Sequence, residues 1–471
     1  MEKAVDLKKT EVAIIGGGLT GLVTAFWLTR EDVDTVMLEK SCRPGGVIRT
    51  FRENGFVYES GPNTGVISHP EVPELFDELE GLCELEPADE KAKKRLIWKN
   101  GAWHPLPSGP LEAINTPLFS TRDKLGILLE PFRKKGSDPL ESLEDMVKRR
   151  LGQSFLDYAV DPFISGIYAG DPSRLIPKFA LPKLYALEQN YGSFIRGAIA
   201  KKFEKKGERE KRVTREVFSV IGGLEKLVSA LEAKTGNERV MTGISDLSVT
   251  PCSEGYQLRA IRDGADLAIN TKFVVSTVGP YEFDTLFPFL NRNQLAILNK
   301  LEYASIIQVV MGFKKWQGMN LNAFGGLVPG KEKMEILGIL FPSSFLRNRA
   351  PEGGALLSVF LGGFRNPGIF SLPDDEIIEK AVTAVKSMLQ VENCNPGLLK
   401  IYRYKNAIPQ YMHDTPERLA VTDHVHSSYP GLLLAGNMRE GIGMADRIRQ
   451  GKILADSIVA ALQQQLILEK R

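Results

Sequence analysis

The first strongly apolar stretch of the chain, Val12 to Ile15, stops at three consecutive glycines, and a second apolar stretch, Leu22 to Arg30, follows with helical length. Thr35 to Leu38 is again short and apolar, and ends on Glu39. Short buried runs on either side of a longer one predict a strand, a helix and a parallel strand. RVMTGISDLSVT, GYQLRAIRDG and ADLAINTKFVVSTVGP alternate apolar and polar positions between turn signals. They predict an antiparallel crossover and a strand returning to the first unit.

SLEDMVKRRLGQSFLDYAV and FALPKLYALEQNYGSFIRGAIAKKF carry helical spacing. SIIQVVMGF, MEILGILF and ALLSVFLGGF read as strands, and DDEIIEKAVTAVKSMLQ as a helix. Near the carboxyl end GLLLAGNMREGIGMADRI is an apolar strand, a glycine-rich turn and the start of an amphipathic helix. The expected fold class is α/β, a Rossmann-like nucleotide domain interrupted by two insertions. Its pieces are expected at 1–89, 216–281 and 406–471, with a helical insertion at 90–215 and a mixed α+β substrate domain at 282–405.

The glycine spacing brings in chemistry. GxGxxG falls on Gly16, Gly18 and Gly21, with Gly17, Leu19 and Thr20 between them. In such a turn the first glycine makes the bend, the second admits a pyrophosphate and the third lets helix pack on strand. The phosphate rests on free N–H groups at the helix start, and Glu39 stands where a carboxylate accepts from a ribose diol. The motif alone admits FAD or NAD. A second bare loop, KSCRPGGVIRT, with Lys40, Arg43, Gly45 and Gly46, suits the longer FAD. So does the returning segment with Gly436, Asn437, Gly441, Ile442, Gly443 and Met444.

Composition narrows the remainder. With 471 residues, 43% apolar, the chain has material for more than one core. A net charge of +2 gives no global argument for nucleic acid, and none is expected as a partner. The 4 cysteines are widely spaced with no CxxC, and HVH at 424–426 is the one short histidine pairing, read as a strand or loop feature. No metal is expected, and a reducing, cytoplasmic setting is. Glycines and flanking acids argue against a signal peptide, and no apolar run is long enough to span a bilayer. The mixed-sign run Lys201 to Arg212 reads as a solvated helix end, and Arg95 as either a surface strand residue or a cation entering an apolar site.

DPFISGIYAGDP, Asp161 to Pro172, holds small and apolar residues between two Asp-Pro pairs and reads as a shaped turn. Together with AIIGGGLTGLVTAF, LEKSCRPGGVIRT, YESGPNT, RLIWKNGAWHPLP, FSVIGGLEKL, GGLVPGKE, AIPQY and LLLAGNMREGIGMADRI, it resembles the protoporphyrinogen oxidases and the coproporphyrin-forming coproporphyrinogen III oxidases. The glycine motifs alone would admit any flavin amine oxidase or polyene desaturase.

The resemblance implies an FAD enzyme of heme synthesis, with a para-hydroxybenzoate-hydroxylase-like flavin domain, that removes six electrons from an anionic porphyrinogen in three steps. Oxygen or a quinone would be the acceptor. It also implies a peripheral contact with the inner face of a membrane and transient contact with the next enzyme of the pathway. Protoporphyrinogen is favoured over coproporphyrinogen because few basic side chains accompany the motifs; Arg95, Arg349 and Lys405 are the rim candidates. A catalytically silent flavin or tetrapyrrole carrier is the reading from another class.

Residue by residue, the resemblance assigns Arg95 to a substrate propionate, Leu327 and Leu340 to either side of a pyrrole ring, and Phe360 to stacking beneath another. Small residues at Gly166, Ala169 and Gly170 would let backbone carbonyls face the pyrrole N–H groups, with no indispensable general base. For the cofactor it adds Gly61, Pro62, Asn63, Thr64, Val240 and Thr277. Val47 and Tyr404 depart from the family pattern and put one phosphate contact and one aromatic position in doubt.

Overall fold

A computed structural model describes residues 6–205 and 207–469, so Lys206 of the mixed-charge run lies outside it. In chain order the strands used below are β1 (Asp6–Ile15), β2 (Thr35–Leu38), β3 (Arg95–Lys99), β4 (Ala102–Pro105), β5 (Val240–Met241), β6 (Ile244–Cys252) and β7 (Gly255–Arg262). They continue as β8 (Ala265–Ser276), β9 (Tyr303–Phe313), β10 (Gly325–Leu327), β11 (Ile336–Leu340), β12 (Ala355–Gly362), β13 (Leu398–Pro409) and β14 (Leu432–Leu434). The helices are α1 (Leu19–Arg30), α2 (Asp161–Ile167), α3 (Asp374–Met388) and α4 (Met444–Glu469).

One sheet runs β5-β2-β1-β8-β7-β6, with β14 on β8. β1 lies parallel to β2 and β8, and β14 parallel to β8, whereas β6 and β7 form an antiparallel extension. β1 is apolar at successive positions because both faces are covered. Val12 and Ile14 pack with α1 and α4, while Ala13 and Ile15 face the cluster of Phe283 and Leu298.

The second sheet runs β13-β9-β12-β11-β10-β3-β4. Its Ile307, Val309, Ile339 and Val359 bury against Ile377, Ala381 and Val385 of α3. Strand alternation then turns their neighbours to the opposite face, which carries the site.

The helical stretch before β5 breaks where its sequence demands. The run ending at Phe203 divides at Pro182 and at Gly192, whose φ is 69°. DPFISGIYAGDP is not a turn throughout. Asp161 to Ile167 is helical, with Pro162 in the first turn, where its missing N–H costs nothing. HVH is likewise not strand or loop: it lies in the helix Thr415–Ser428, also opened by a proline in its first turn.

Candidate functional site

The nucleotide end is built from two bare loops in contact. α1 starts after Gly18 with no side-chain cap, so its first N–H groups are free for an anion. A Cβ on Gly21 would stand 2.1 Å from the Gly16 carbonyl oxygen, a backbone clash that reserves this position for glycine. Thr20 Oγ1 is buried beside it with no protein partner. Gly45 N–H donates to the Gly17 carbonyl at 2.7 Å, and a Cβ on Gly46 would meet Gly18 Cα at 3.4 Å.

Glu39 is buried; its Oε2 accepts from Gly17 N–H at 2.6 Å and its Oε1 from Ser41 N–H at 2.8 Å. Each oxygen keeps a lone pair for a ribose hydroxyl. Val240 pairs with Met37 at the strand next to Glu39, and Thr277 Oγ1 lies 3.0 Å from the Gly16 carbonyl.

Two cations of these loops make the following protein contacts. Arg43 folds over its own loop, donating to the carbonyls of Pro44 at 2.9 Å and Ile48 at 3.1 Å. Lys40 turns outward to Glu282 at 3.3 Å and is 79% exposed.

The returning loop is held from behind. Arg447, buried, has Nη2 within 3.0 Å of the carbonyls of Arg439, Glu440 and Gly441. Tyr411 Oη lies 2.9 Å from the Asn437 carbonyl, and Gly436 N–H donates to Gln450 Oε1 at 3.0 Å. Gly443 N–H donates to Asp446 Oδ2 at 3.0 Å, while Asp446 Oδ1 meets His69 Nε2 at 3.1 Å. Burial opposes ionisation of Asp446, but these bonds and the Arg447 charge hold its carboxyl below the usual range. Met444 is buried at the start of α4, and Ile442 packs against the cluster of Ile164 and Tyr168.

Gln308 of β9 joins the two halves. It is fully buried; its Oε1 accepts from Gly61 N–H at 2.8 Å and its amide donates to the Glu59 carbonyl at 3.0 Å. Asn63 reaches the same strands, its Oδ1 3.3 Å from Ser358 Oγ, with Pro62 and Thr64 half-buried beside it. The sequence reading missed Gln308, although a lone amide inside SIIQVVMGF was its signal.

On the open face of the second sheet, Arg95, Gly325, Leu340 and Ser358 form one row of paired residues, and Ile97, Leu327, Gly338, Phe360 and Gln308 the next row of that face. The four substrate candidates therefore share one surface, that of Gln308. Arg95 is half-buried over the Phe324 ring, 5.8 Å from its centre, and burial pulls its pKa down. Among the described residues no carboxylate lies within 4.0 Å of it.

Across from that face stands α2. A Cβ on Gly166 would be 2.3 Å from Leu327 Cδ2, and one on Gly170 2.5 Å from Gln410 Oε1. Ala169 is held at a φ of 48°, a left-handed conformation that side chains resist. Its carbonyl does not point freely at a ligand, as the sequence reading expected of this segment: it accepts from Phe364 N–H at 2.6 Å. Arg349 is not at a rim either. It is buried between Glu59, at 3.0 Å, and Glu86, at 3.6 Å. Lys405 is exposed.

The bare loops, the unpartnered Thr20 hydroxyl and the uncapped α1 fit a flavin dinucleotide. Residues 19–459 match the family of flavin containing amine oxidoreductases, and the chain belongs to it. It is an FAD-dependent oxidoreductase. It is 30% identical to protoporphyrinogen oxidase 2, chloroplastic/mitochondrial, of Arabidopsis thaliana, over 96% of this chain and 94% of the relative. It is 26% identical to coproporphyrinogen III oxidase of Bacillus subtilis, over 94% and 97%. A crystal structure from Exiguobacterium sp. 255-15, provisionally named a protoporphyrinogen oxidase, superposes with a TM-score of 0.78 at 23% identity, covering 97% of this chain and 99% of that one.

Proposed function

We propose that this chain oxidises a porphyrinogen to the porphyrin in heme synthesis, and that the substrate is protoporphyrinogen rather than coproporphyrinogen. The observation that carries the reading is Arg95, a half-buried guanidinium without an acid partner on a face otherwise lined by Leu327, Leu340 and Phe360. Its planar fork suits a carboxylate bidentately, and the flat apolar rows suit a macrocycle. Two neighbouring cations of this sheet are engaged, while Lys405 is exposed at its edge strand β13. Lys99 donates to the Leu118 carbonyl at 2.7 Å, and Lys400 pairs with Glu53 at 2.9 Å. Among the described residues Arg95 is a half-buried cation of this face with no carboxylate within 4.0 Å, which fits a substrate with two carboxylates better than one with four.

Bound FAD would accept the electrons, two at a time, in three turnovers per macrocycle. The protein's part is positioning: Arg95 anchors a propionate, Leu327 and Phe360 fix the ring plane, and α2 closes the opposite side. Arg95, Gly325, Leu340, Ser358, Ile97, Leu327, Gly338, Phe360 and Gln308 include no general base, and His104, paired with Ile97, stands at the far end of the second row.

The acceptor would be oxygen or a quinone, and the working place the cytoplasmic face of a membrane. Leu125, Leu128, Leu129, Phe132 and Phe203 are 60–79% exposed, close in sequence to exposed Arg122, Lys201 and Lys202. No described helix is long and apolar enough to cross a bilayer. The test is porphyrin fluorescence formed under air from protoporphyrinogen and from coproporphyrinogen. Faster formation of coproporphyrin would overturn the substrate choice, and no porphyrin from either would overturn the reaction.

A further inference from the structure

Both aspartates that bracket DPFISGIYAGDP reach one guanidinium. Arg365 pairs with Asp161 Oδ1, and its Nη2 lies 3.4 Å from Asp171 Oδ1. Asp161 is buried, and its second oxygen accepts from Gly330 N–H at 2.7 Å. Asp171 is steadied by Ser173, whose N–H donates to it at 2.9 Å.

The partners come from two particular loops. Gly330 follows β10, the strand of Leu327, and Arg365 follows β12, the strand of Phe360. A Cβ on Gly330 would stand 2.2 Å from Arg365 Nη1, so bare backbone is what lets the guanidinium lie there. Phe364 N–H, next to Arg365, holds the Ala169 carbonyl at 2.6 Å. The loops leaving the two ring-contacting strands thus close on both ends of α2.

We propose that Arg365 is a positioning residue that holds Gly166–Gly170 in contact with the face of Leu327 and Phe360. This rests on the reading that a flat macrocycle binds at that face, in a slot bounded by α2. Neither aspartate nor Arg365 touches the substrate rows. Their effect is geometric: reacting atoms must be held about 3 to 3.5 Å apart, and a displacement of about 1 Å costs on the order of a hundredfold in rate. Only a forked cation satisfies two carboxylates together, so lysine is a poor substitute.

The experiment compares FAD-loaded wild type, Arg365→Ala, Arg365→Lys and Asp171→Asn in two ways. One is amide hydrogen exchange over residues 161–171; the other is the anaerobic rate of flavin reduction as a function of protoporphyrinogen concentration. Arg365→Ala is expected to speed exchange in that segment alone and to lower the limiting rate by about a hundredfold, while half-saturation moves by less than about threefold. Arg365→Lys should recover little of the rate, and Asp171→Asn should show a weaker form of both effects. If Arg365→Ala fails to fold, Asp171→Asn carries the same comparison. Unchanged exchange at 161–171, or a loss of rate that appears only with loss of FAD or with faster exchange everywhere, would overturn the proposal. If the wild type is not reduced by any porphyrinogen, the functional reading falls, and the exchange data still decide whether Arg365 holds α2.

Discussion

Leu327 lies directly on Gly166: a methyl group added at position 166 would stand 2.3 Å from Leu327 Cδ2. The contact packs α2 directly on the sheet face, with hydrogen in place of a side chain.

Gly166→Ala should therefore displace Leu327 and narrow the slot. Overpacking costs about 1 to 3 kcal/mol, too little to unfold a protein of this size. The expected result is normal flavin content, a slightly lower Tm and a clear loss of porphyrinogen oxidation. Adding Leu327→Ala should return the Tm, and purified variants scored for flavin absorbance, melting and turnover check this.

Arg95→Ala should weaken substrate binding and leave FAD in place. A charge-assisted bond to a carboxylate contributes about 1.5 to 3 kcal/mol, so KM should rise about 10- to 100-fold. Lysine at 95 should recover only part, because it lacks the fork. Loss of bound FAD with unchanged KM would sink the assignment.

Acid should loosen the segment 130–194 early. Burial works against ionisation of Glu130, but the Ser193 hydroxyl, the N–H groups of Phe194 and Ile195 and the buried Arg150 hold its carboxyl below the usual range. Glu188 is lowered too, against burial, by Arg149, Gly136 N–H and Arg150. A depressed carboxylate stabilises the fold above the unfolded pKa of about 4.3, and that stability is lost as pH falls through the folded value. Stability should hold from pH 7 to about 5 and then decline, and Glu130→Gln should flatten the decline while lowering stability at neutral pH. Urea titrations across pH 3 to 7 read both.

The exposed side chains of Leu125, Leu128 and Phe132 should enter an anionic bilayer surface. Replacing all three by serine should reduce cosedimentation with vesicles containing phosphatidylglycerol by several-fold. Oxidation of substrate in detergent-free buffer should not change, since these side chains lie outside the slot. Equal sedimentation of both proteins would reject the membrane contact.

Local patterns were readable where the residues answer to their neighbours in sequence. β2 occupies the expected residues, and the expected strand at Val12 to Ile15 and helix at Leu22 to Arg30 form, each extended toward the amino end. The helix starts earlier because Gly21, read as part of the turn, lies inside it, packed on the Gly16 carbonyl. DPFISGIYAGDP was misread in the same way: its glycines suggested a turn, while Asp161 and Pro162 open a helix. Arg349 was unreadable as a buried residue because its partners Glu59 and Glu86 come from distant segments. Arg365 carried no local sign at all, since only the folded chain brings Asp161, Asp171 and Gly330 around it. Lys40 points toward solvent and Glu282, a choice of side-chain direction that spacing does not encode.

The most direct test mixes the purified yellow protein, without oxygen, with protoporphyrinogen or coproporphyrinogen and follows loss of flavin absorbance. Fast bleaching with protoporphyrinogen and slow bleaching with coproporphyrinogen is the expected result, because Arg95, half-buried with no carboxylate within 4.0 Å among the described residues, serves a propionate of a substrate with two of them. Retained flavin colour with both, in protein that holds FAD, would contradict the account and leave the chain among the other flavin amine oxidoreductases or the silent carriers.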